Sequence, residues 1–344
     1  MSVDNAGVNT PISEGMNRRN FLGRSGLALA AGASLLATSQ NSAADGAKNV
    51  GSGTTDPSAS PGGTSPSGES NQVFNNRHVL KLQDSNGKPS EEGVVTIDYF
   101  GHCALRLTSP KGLTLLFDPW RNDPTGAWGL WFPKEFPKTT VDVGLSTHTH
   151  FDHNALDRVE STIILDRLVG TWTFADVQIT GVADKHATAT PGWYKWINVV
   201  KEFGQDPYPP NNPSHLDMVS YVVETGGIRT LIWGDNRHNP PESVWRLWGQ
   251  IDVLTLPVDG SQHILSYEQG DAIVARLKPK IVIPTHYLAE GTSSTLSTLQ
   301  TADEWVANQK NKQRVEASTL KIEPGRIASL DRHFFYFGNQ VVRV

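Results

Sequence analysis

Three histidines and one aspartate occur within six residues, directly after an apolar run that is typical of a buried strand. The run covers residues 141–146, and the polar residues are His148, His150, Asp152 and His153. Alternate side chains of an extended segment point to the same side, which places His148 with His150. Imidazole and carboxylate groups are costly to bury without partners, and together they suit Zn²⁺, Fe or Mn. The segment therefore predicts a metal site at a strand end, with a polar loop of hydrogen-bonded histidines as the alternative.

Four shorter motifs add to this pattern. They are residues 100–102 (Phe-Gly-His), 116–119 (Leu-Phe-Asp-Pro), 233–235 (Trp-Gly-Asp) and 283–286 (Ile-Pro-Thr-His). With His-X-His-X-Asp-His after a strand, they resemble the metallo-β-lactamase superfamily, especially ascorbate-6-phosphate lactonase-like proteins and N-acyl phosphatidylethanolamine phospholipase D. The resemblance implies an α/β fold, the αββα sandwich of the metallo-β-lactamase fold, with the site at the sheet edges.

The resemblance also implies two divalent metal ions, zinc in the first place, with Mn²⁺ or Fe as alternatives. The ligands that it carries over are His148, His150 and His186 for the first ion, Asp152, His153 and His286 for the second, and Asp235 as a bridge. Three of these assignments have structural alternatives. His186 could be a surface-loop histidine, Asp235 a turn residue and His286 a strand-end histidine satisfied by hydrogen bonds.

Three further polar residues are expected near the metals, where they would orient the metal ligands or bind substrate: His102, Asp118 and His263. Asp118 could accept a hydrogen bond from the second ring nitrogen of a ligand imidazole. Asp-Pro is also a common turn starter, so a purely structural role is the alternative. His263 could bind substrate or orient a leaving group.

A bridging Asp235 resembles the lactonase, glyoxalase II and phosphodiesterase branches rather than the true β-lactamases. We therefore expect a metal-dependent hydrolase in which the metals activate water for attack on an ester, lactone or phosphodiester. Asp152 would be the catalytic residue that orients the nucleophile. The substrate would be a small molecule or a lipid headgroup. The alternatives are a di-iron redox protein, against which His150 argues, and a metal- or ligand-binding protein without turnover.

The charged and aromatic residues bear on the substrate. No Lys/Arg-rich phosphate cradle accompanies the motifs, which weakens the phosphodiester interpretation, and the cations that could still serve are Arg121, Lys185, Lys195 and Arg237. Two aromatic-rich loops, residues 120–136 and 193–203, could roof a ligand pocket, form local core or contact lipid. Residues 205–217, rich in proline, look like a rigid cover.

The N-terminal region has the composition of a targeting signal and a linker. Arg18 and Arg19, followed by Phe21 and Leu22, resemble the bacterial Tat consensus, and the apolar stretch at residues 26–37 has the size of a signal-peptide core. We expect residues 1–44 to be a Tat signal peptide, residues 45–72 a disordered Ser/Gly/Thr-rich linker, and residues 73–344 the hydrolase domain. The Tat translocase would be a partner during export to the periplasm or beyond the cell.

Other features of the sequence exclude some classes of protein. The net charge of −5 argues against a nucleic-acid partner held by a basic surface. A single cysteine, Cys103, rules out an intramolecular disulfide framework. No apolar run is long enough to predict a transmembrane helix. Periodicity predicts alternating strands and helices, including a hairpin around Gly226-Gly227 and helices at residues 154–160 and 242–250.

Overall fold

The computed structural model describes Leu82 and residues 87–126, 128–187 and 217–342. Within these residues the strands form two sheets. The first contains β1 (Val95–Gly101), β2 (Ala104–Thr108), β3 (Thr114–Phe117), β4 (Thr139–Ser146), β5 (Val159–Asp166) and β13 (Thr319–Ile322). Their spatial order is β13-β1-β2-β3-β4-β5, antiparallel from β13 to β3 and parallel from β3 to β5.

The second sheet contains the other eight described strands. They are β6 (Gly170–Phe174), β7 (Val177–Lys185), β8 (Asp217–Thr225), β9 (Ile228–Ile232), β10 (Val253–Pro257), β11 (Ile281–Thr285), β12 (Lys312–Arg314) and β14 (His333–Tyr336). Their order is β12-β14-β11-β10-β9-β8-β7-β6. The half from β6 to β9 is antiparallel and the half from β9 to β12 is parallel. The hairpin predicted around Gly226-Gly227 is the β8–β9 pair.

One continuous hydrophobic cluster joins the two sheets. Leu105 and Phe117 from the first sheet and Tyr221 and Ile283 from the second are at most 2% exposed and belong to it. Burying each such side chain contributes roughly 1.5–3 kcal/mol. The Tyr221 hydroxyl also donates to the carbonyl oxygens of Ser146 and Leu165, at 3.1 and 2.8 Å. The second sheet is therefore fastened to the ends of β4 and β5.

Helices flank the second sheet at sites that the sequence marks clearly. The described α-helices are α1 (Glu242–Trp248), α2 (Tyr267–Leu277), α3 (Asp303–Ala307) and α4 (Pro324–Ile327). Helix α2 begins with a capping box between Ser266 and Gln269. Trp248 of α1 is fully buried, and its indole nitrogen donates to Ser220 Oγ of β8 at 2.7 Å. The Trp248 contact holds α1 on the sheet.

The outer side of the first sheet carries aromatic side chains from the loop between β3 and β4. Trp120 and Phe132 stack at 4.4 Å between ring centroids, and Trp120 Nε1 donates to the carbonyl oxygen of Phe100 at 3.2 Å. With Trp131 and Phe136 they form a second buried cluster against the strands. The local-core interpretation of residues 120–136 is therefore correct.

In the part of the chain that the structure describes, no helix is long and apolar enough to cross a membrane.

The predicted sandwich is confirmed, with local corrections. The helix expected at residues 154–160 is a single 3-10 turn, Leu156–Arg158, after which the chain continues as β5. Strand β6 was not predicted from the sequence. The signal peptide, the linker, the loop at residues 193–203 and the cover, apart from Asp217, lie outside the described residues.

Tyr221→Phe should lower the free energy of unfolding by about 1–2 kcal/mol, because it removes a hydroxyl shared by two buried carbonyl oxygens. Urea unfolding followed by fluorescence measures the change. Tyr267→Phe is the matched control, since its hydroxyl donates to Glu304 at the exposed surface, at 3.2 Å, and its loss should cost less than about 0.5 kcal/mol. Equal effects of the two substitutions would contradict a role for Tyr221 in joining the sheets.

Candidate metal centre

The segment that follows β4 is a tight turn held by its own hydrogen bonds. Ser146 Oγ donates to the carbonyl oxygen of His148 at 2.7 Å, and the backbone nitrogens of His153 and Asn154 both donate to the carbonyl oxygen of His150. His148, Asp152 and His153 are buried, and His150 is half-buried. The turn therefore directs four polar side chains inward instead of into solvent.

Two groups of potential ligand atoms lie side by side at this edge of the sandwich, each within 4.8 Å. One contains His148, His150 and His186, and the other contains His102, Asp152, His153 and His286. Asp235 lies between them. Its Oδ2 is 3.4 Å from His186 Nε2 and 3.8 Å from His148 Nε2 on one side, and 3.4 Å from His153 Nε2 and 3.2 Å from His286 Nε2 on the other. The structure thus brings together all seven ligands predicted from the sequence.

The ligands that are distant in sequence come from strand ends. His186 follows β7 directly, His286 follows β11 directly, and Asp235 follows β9 after two residues. The loops are tied to each other, because Ala187 N donates to the carbonyl oxygen of Asp235 at 2.9 Å and Arg237 N to that of Lys185 at 3.1 Å. His186 is therefore a buried residue of the site and not a surface-loop histidine.

Asp118 holds two neighbouring parts of the centre together. Its carboxylate accepts hydrogen bonds from Thr147 N at 2.7 Å and Thr147 Oγ1 at 2.8 Å, and Oδ2 lies 3.0 Å from His153 Nδ1. A carboxylate on Nδ1 fixes the imidazole so that Nε2 faces the ligand cluster. His186 is oriented in the same way, since its Nδ1 lies 2.7 Å from the carbonyl oxygen of Ala187. Thr147, which the sequence analysis did not single out, is the link between Asp118 and the histidines.

Buried charge governs the protonation of the ligands. Burial disfavours the ionised form of Asp235, but the imidazoles of His153 and His286 outweigh it and hold the pKa of Asp235 well below its usual range. Burial likewise disfavours the imidazolium of His153, but Asp235 and Asp152 raise its pKa well above the usual value. Burial, with His153 and His150 nearby, keeps the pKa of His148 well below its ordinary value. The carboxylates thus require positive charge beside them.

The donor set fits divalent metal ions. Within the described residues His153 Nε2, His286 Nε2 and Asp235 Oδ1 are buried and make no hydrogen bond. Such atoms are costly to bury unless they have a ligand. Imidazole nitrogens and carboxylate oxygens are the donors that zinc takes in hydrolytic sites. Each of the two ligand groups could hold one divalent ion, with side chains that follow different strands.

His102 belongs to the second group, and His263 lies beside it. His102 Nε2 is 3.0 Å from Asp152 Oδ2, and burial together with His286 lowers the pKa of His102 to about 4. The His263 ring centroid is 5.3 Å from that of His286 and 6.1 Å from that of Trp131. Its loop is held by Asp259, which accepts a hydrogen bond from His263 N at 2.8 Å. The three predicted neighbours of the metals, His102, Asp118 and His263, are thus all at the site.

A family model described as the beta-lactamase superfamily domain matches residues 96–286, more than half of the chain. The match includes every residue of the two groups and Asp235. The chain belongs to the beta-lactamase superfamily.

Named relatives agree with this assignment. This chain is 25% identical over 264 residues to a UPF0173 metal-dependent hydrolase of Thermodesulfovibrio yellowstonii. The alignment covers 70% of this chain and 93% of the relative. The chain is 26% identical over 261 residues to a UPF0173 metal-dependent hydrolase of Myxococcus xanthus, covering 69% and 84%. A proposed zinc-dependent hydrolase of the metallo-beta-lactamase superfamily from Thermotoga maritima is similar with a TM-score of 0.49 and 23% identity, covering 70% and 97%.

The comparisons confirm the predicted superfamily and its metal-dependent hydrolase class. The narrower branch, with lactonase-like and phospholipase D-like proteins, stays a prediction.

Asp118→Asn should weaken zinc binding about 10- to 100-fold, because an amide cannot accept hydrogen bonds from Thr147 and His153 at both of its ends. Asn tolerates the left-handed backbone at this position, where φ is 47°. Zinc titration against a competing chelator measures the affinity.

Asp142→Asn is the matched control for that substitution. Asp142 is also buried on β4 and accepts hydrogen bonds from Thr114 N and Thr114 Oγ1, both at 2.8 Å. It should lower stability without changing zinc affinity. Equal zinc affinity of the Asp118→Asn and wild-type proteins would contradict the positioning role of Asp118.

Proposed function

We propose that this metal-dependent hydrolase holds two divalent metal ions, zinc in the first place, and cleaves a neutral carboxylic ester or lactone. The observation that carries the proposal is the position of Asp235, within 3.8 Å of imidazole nitrogens from both ligand groups. A carboxylate placed between two sets of potential metal ligands can compensate two cations at once. The first ion would be held by His148, His150 and His186, and the second by Asp152, His153 and His286.

The residues divide the work of hydrolysis among them. When bound, the two ions supply an activated water at neutral pH and polarise the carbonyl group of the substrate. We assign Asp152, whose Oδ2 is held by His102, to orient the attacking water. His153 keeps its orientation through Asp118. His263, beside His286, would contact the leaving group or the acyl part of the substrate.

The surroundings of the centre favour a neutral substrate over a phosphodiester. Three of the four candidate cations are described, and each is paired with a carboxylate. Arg121 Nη1 donates to Asp157 at 2.8 Å, Lys185 Nζ to Asp217 at 2.7 Å and Arg237 Nε to Asp184 at 2.9 Å. A phosphate group would have to compete with these carboxylates for the cations. Lys195 lies outside the described residues.

Aromatic side chains next to the centre suit an apolar acyl or ring group. Trp131 meets Phe151 edge-on, with ring centroids 5.2 Å apart, and meets His263 edge-on from the other direction. Phe151 stands between the ligands His150 and Asp152 in the sequence.

The substrate class is tested by an assay panel of carboxylic esters, lactones and bis-aryl phosphates with the full chain loaded with zinc, manganese or iron. Turnover of the phosphates alone would overturn the proposed class, and iron with redox activity would favour the di-iron alternative.

Replacing Asp235 tests the bridging role. Asp235→Ala and Asp235→Asn should both lose one of the two zinc ions and lower turnover by orders of magnitude, because neither side chain offsets the repulsion between two cations. If Asp235 were only a turn residue, Asn would be the mildest replacement. Zinc stoichiometry by elemental analysis and turnover on the best ester are the measurements.

Asp176→Asn is the control for the Asp235 variants. Asp176 is buried next to the start of β7, the strand that ends one residue before His186, and accepts a hydrogen bond from Ser109 Oγ at 2.8 Å. Its replacement should leave zinc stoichiometry unchanged. Full zinc content and near-normal turnover in the Asp235→Asn protein would refute the bridge.

We also propose that the chain is exported by the Tat pathway to the periplasm or beyond the cell. The support is the pair Arg18-Arg19 with Phe21 and Leu22, followed by a short apolar stretch. Because this route carries folded proteins, the metal centre would be assembled before export.

Replacing both Arg18 and Arg19 by Lys should keep the precursor in the cytoplasm, since the pathway recognises arginine and not positive charge alone. Cell fractionation and immunoblotting of the full chain measure the outcome. Replacing Lys48 by Arg is the control outside the motif and should leave export unchanged. Normal export of the double variant would rule out this route.

A further inference from the structure

His102 contacts two ligands of the same metal site in two different ways. Its Nε2 lies 3.0 Å from Asp152 Oδ2, and both side chains are buried. Its backbone carbonyl oxygen accepts a hydrogen bond from His286 N at 3.0 Å. The ring centroids of His102 and His286 are 4.2 Å apart. One residue of the turn between β1 and β2 therefore touches ligands that come from the ends of β4 and β11.

The turn that carries His102 is held in an uncommon backbone conformation. The φ angles are 56° at His102 and 93° at Gly101. A Cβ atom at Gly101 would lie 2.9 Å from Thr292 Oγ1, so a larger residue there would collide with the loop after β11. Phe132 packs against the His102 ring edge-on, with centroids 5.6 Å apart. A non-glycine residue at positive φ is strained, and it persists only where the surroundings over-determine it.

We propose that His102 is a positioning residue that fixes Asp152 for the second metal ion by donating a hydrogen bond from Nε2–H to Asp152 Oδ2. This inference rests on the proposed dinuclear site. Asp152 is the only carboxylate in the group formed by His102, Asp152, His153 and His286. Without a donor on Oδ2, its side chain could rotate away from His153 Nε2 and His286 Nε2, which lie 3.6 and 3.8 Å from that oxygen. His102 thus does for a carboxylate ligand what Asp118 does for an imidazole ligand.

The alternative is that His102 itself binds the second metal ion, because its ring nitrogen lies in the same group as those of His153 and His286. The two roles make different demands on the side chain. A hydrogen bond to Asp152 needs only an N–H at the position of Nε2, which the amide of glutamine supplies. Zinc coordination through the imidazole nitrogen would be lost in the glutamine variant, whose lone pairs are on the amide oxygen, so any remaining coordination would be by a different ligand atom and would alter the cobalt spectrum. Glutamine should therefore restore the function of a positioning residue but not that of a ligand.

The test compares zinc binding by the full chain and by its His102→Leu and His102→Gln variants. Chelator competition should show two sites in the wild type, with one site weakened about 10- to 100-fold in His102→Leu and restored to within a few-fold of wild type in His102→Gln. The visible absorption of the cobalt-substituted wild-type and His102→Gln proteins should coincide, because no ligand has changed. His333→Leu is the control, as this histidine of β14 belongs to neither ligand group.

Three results would be decisive. Wild-type affinity at both sites in His102→Leu would overturn the positioning role. Equal loss in His102→Leu and His102→Gln, with an altered cobalt spectrum in both, would make His102 a ligand instead. Fewer than two zinc ions in the wild type would overturn the proposed dinuclear site itself. Thermal unfolding of each variant without metal separates these outcomes from a failure to fold.

Discussion

Two ionised carboxylates, those of Asp152 and Asp235, are buried at one edge of the sandwich, and the surrounding structure exists to compensate them. A carboxylate in such a place is stable only beside positive charge or hydrogen-bond donors. Without metal, the compensation comes from imidazoles, which is why the pKa of His153 is raised and that of Asp235 is lowered. Divalent ions would take over this role and release the imidazoles to act as neutral ligands. Metal binding and stability of the folded state are therefore coupled.

Strand ends supply the precision that such a centre needs. The predicted ligands follow β4, β7, β9 and β11, so their backbone positions are fixed by two hydrogen-bonded sheets and the core between them. The remaining freedom lies in the turns. Three residues at the site, His102, Asp118 and His286, adopt positive φ angles of 56°, 47° and 60°. At these three positions the two sheets hold a strained backbone where side chains must be aimed.

The sequence was informative where the chemistry is local. The four polar residues after β4 predict a metal site from their spacing alone, whereas His186, Asp235 and His286 lie far apart and needed the resemblance to be assigned. Asp118 was both a turn residue and a possible partner of an imidazole, and the structure shows that these are not alternatives. It adopts the left-handed turn conformation and binds His153 Nδ1.

The errors came from tertiary context. Residues 154–160 contain good helix formers, but Val159 begins a strand that pairs in parallel with β4, and this pairing outweighs local propensity. Strand β6 is a five-residue edge strand in which half-buried Trp172 and Phe174 alternate with exposed Thr171 and Thr173, a pattern too short to be predicted as a strand without its antiparallel pairing to β7. Composition alone could not decide whether the aromatic loop at residues 120–136 forms local core or a ligand pocket. Packing against a sheet and contact with a ligand both favour aromatic residues.

That loop connects stability with specificity. Trp120, Phe132 and Phe136 pack on the first sheet, while Trp131, only 6% exposed, turns its ring toward Phe151 and His263. The carbonyl oxygen of Trp131 accepts a hydrogen bond from Ser294 N at 2.6 Å, which fastens the loop to the segment after β11. The aromatic wall beside the metal centre is thus part of the hydrophobic core and cannot move without disrupting it. A rigid apolar wall discriminates among substrates by shape with little ordering cost on binding, so changes at Trp131 would alter substrate preference and stability together.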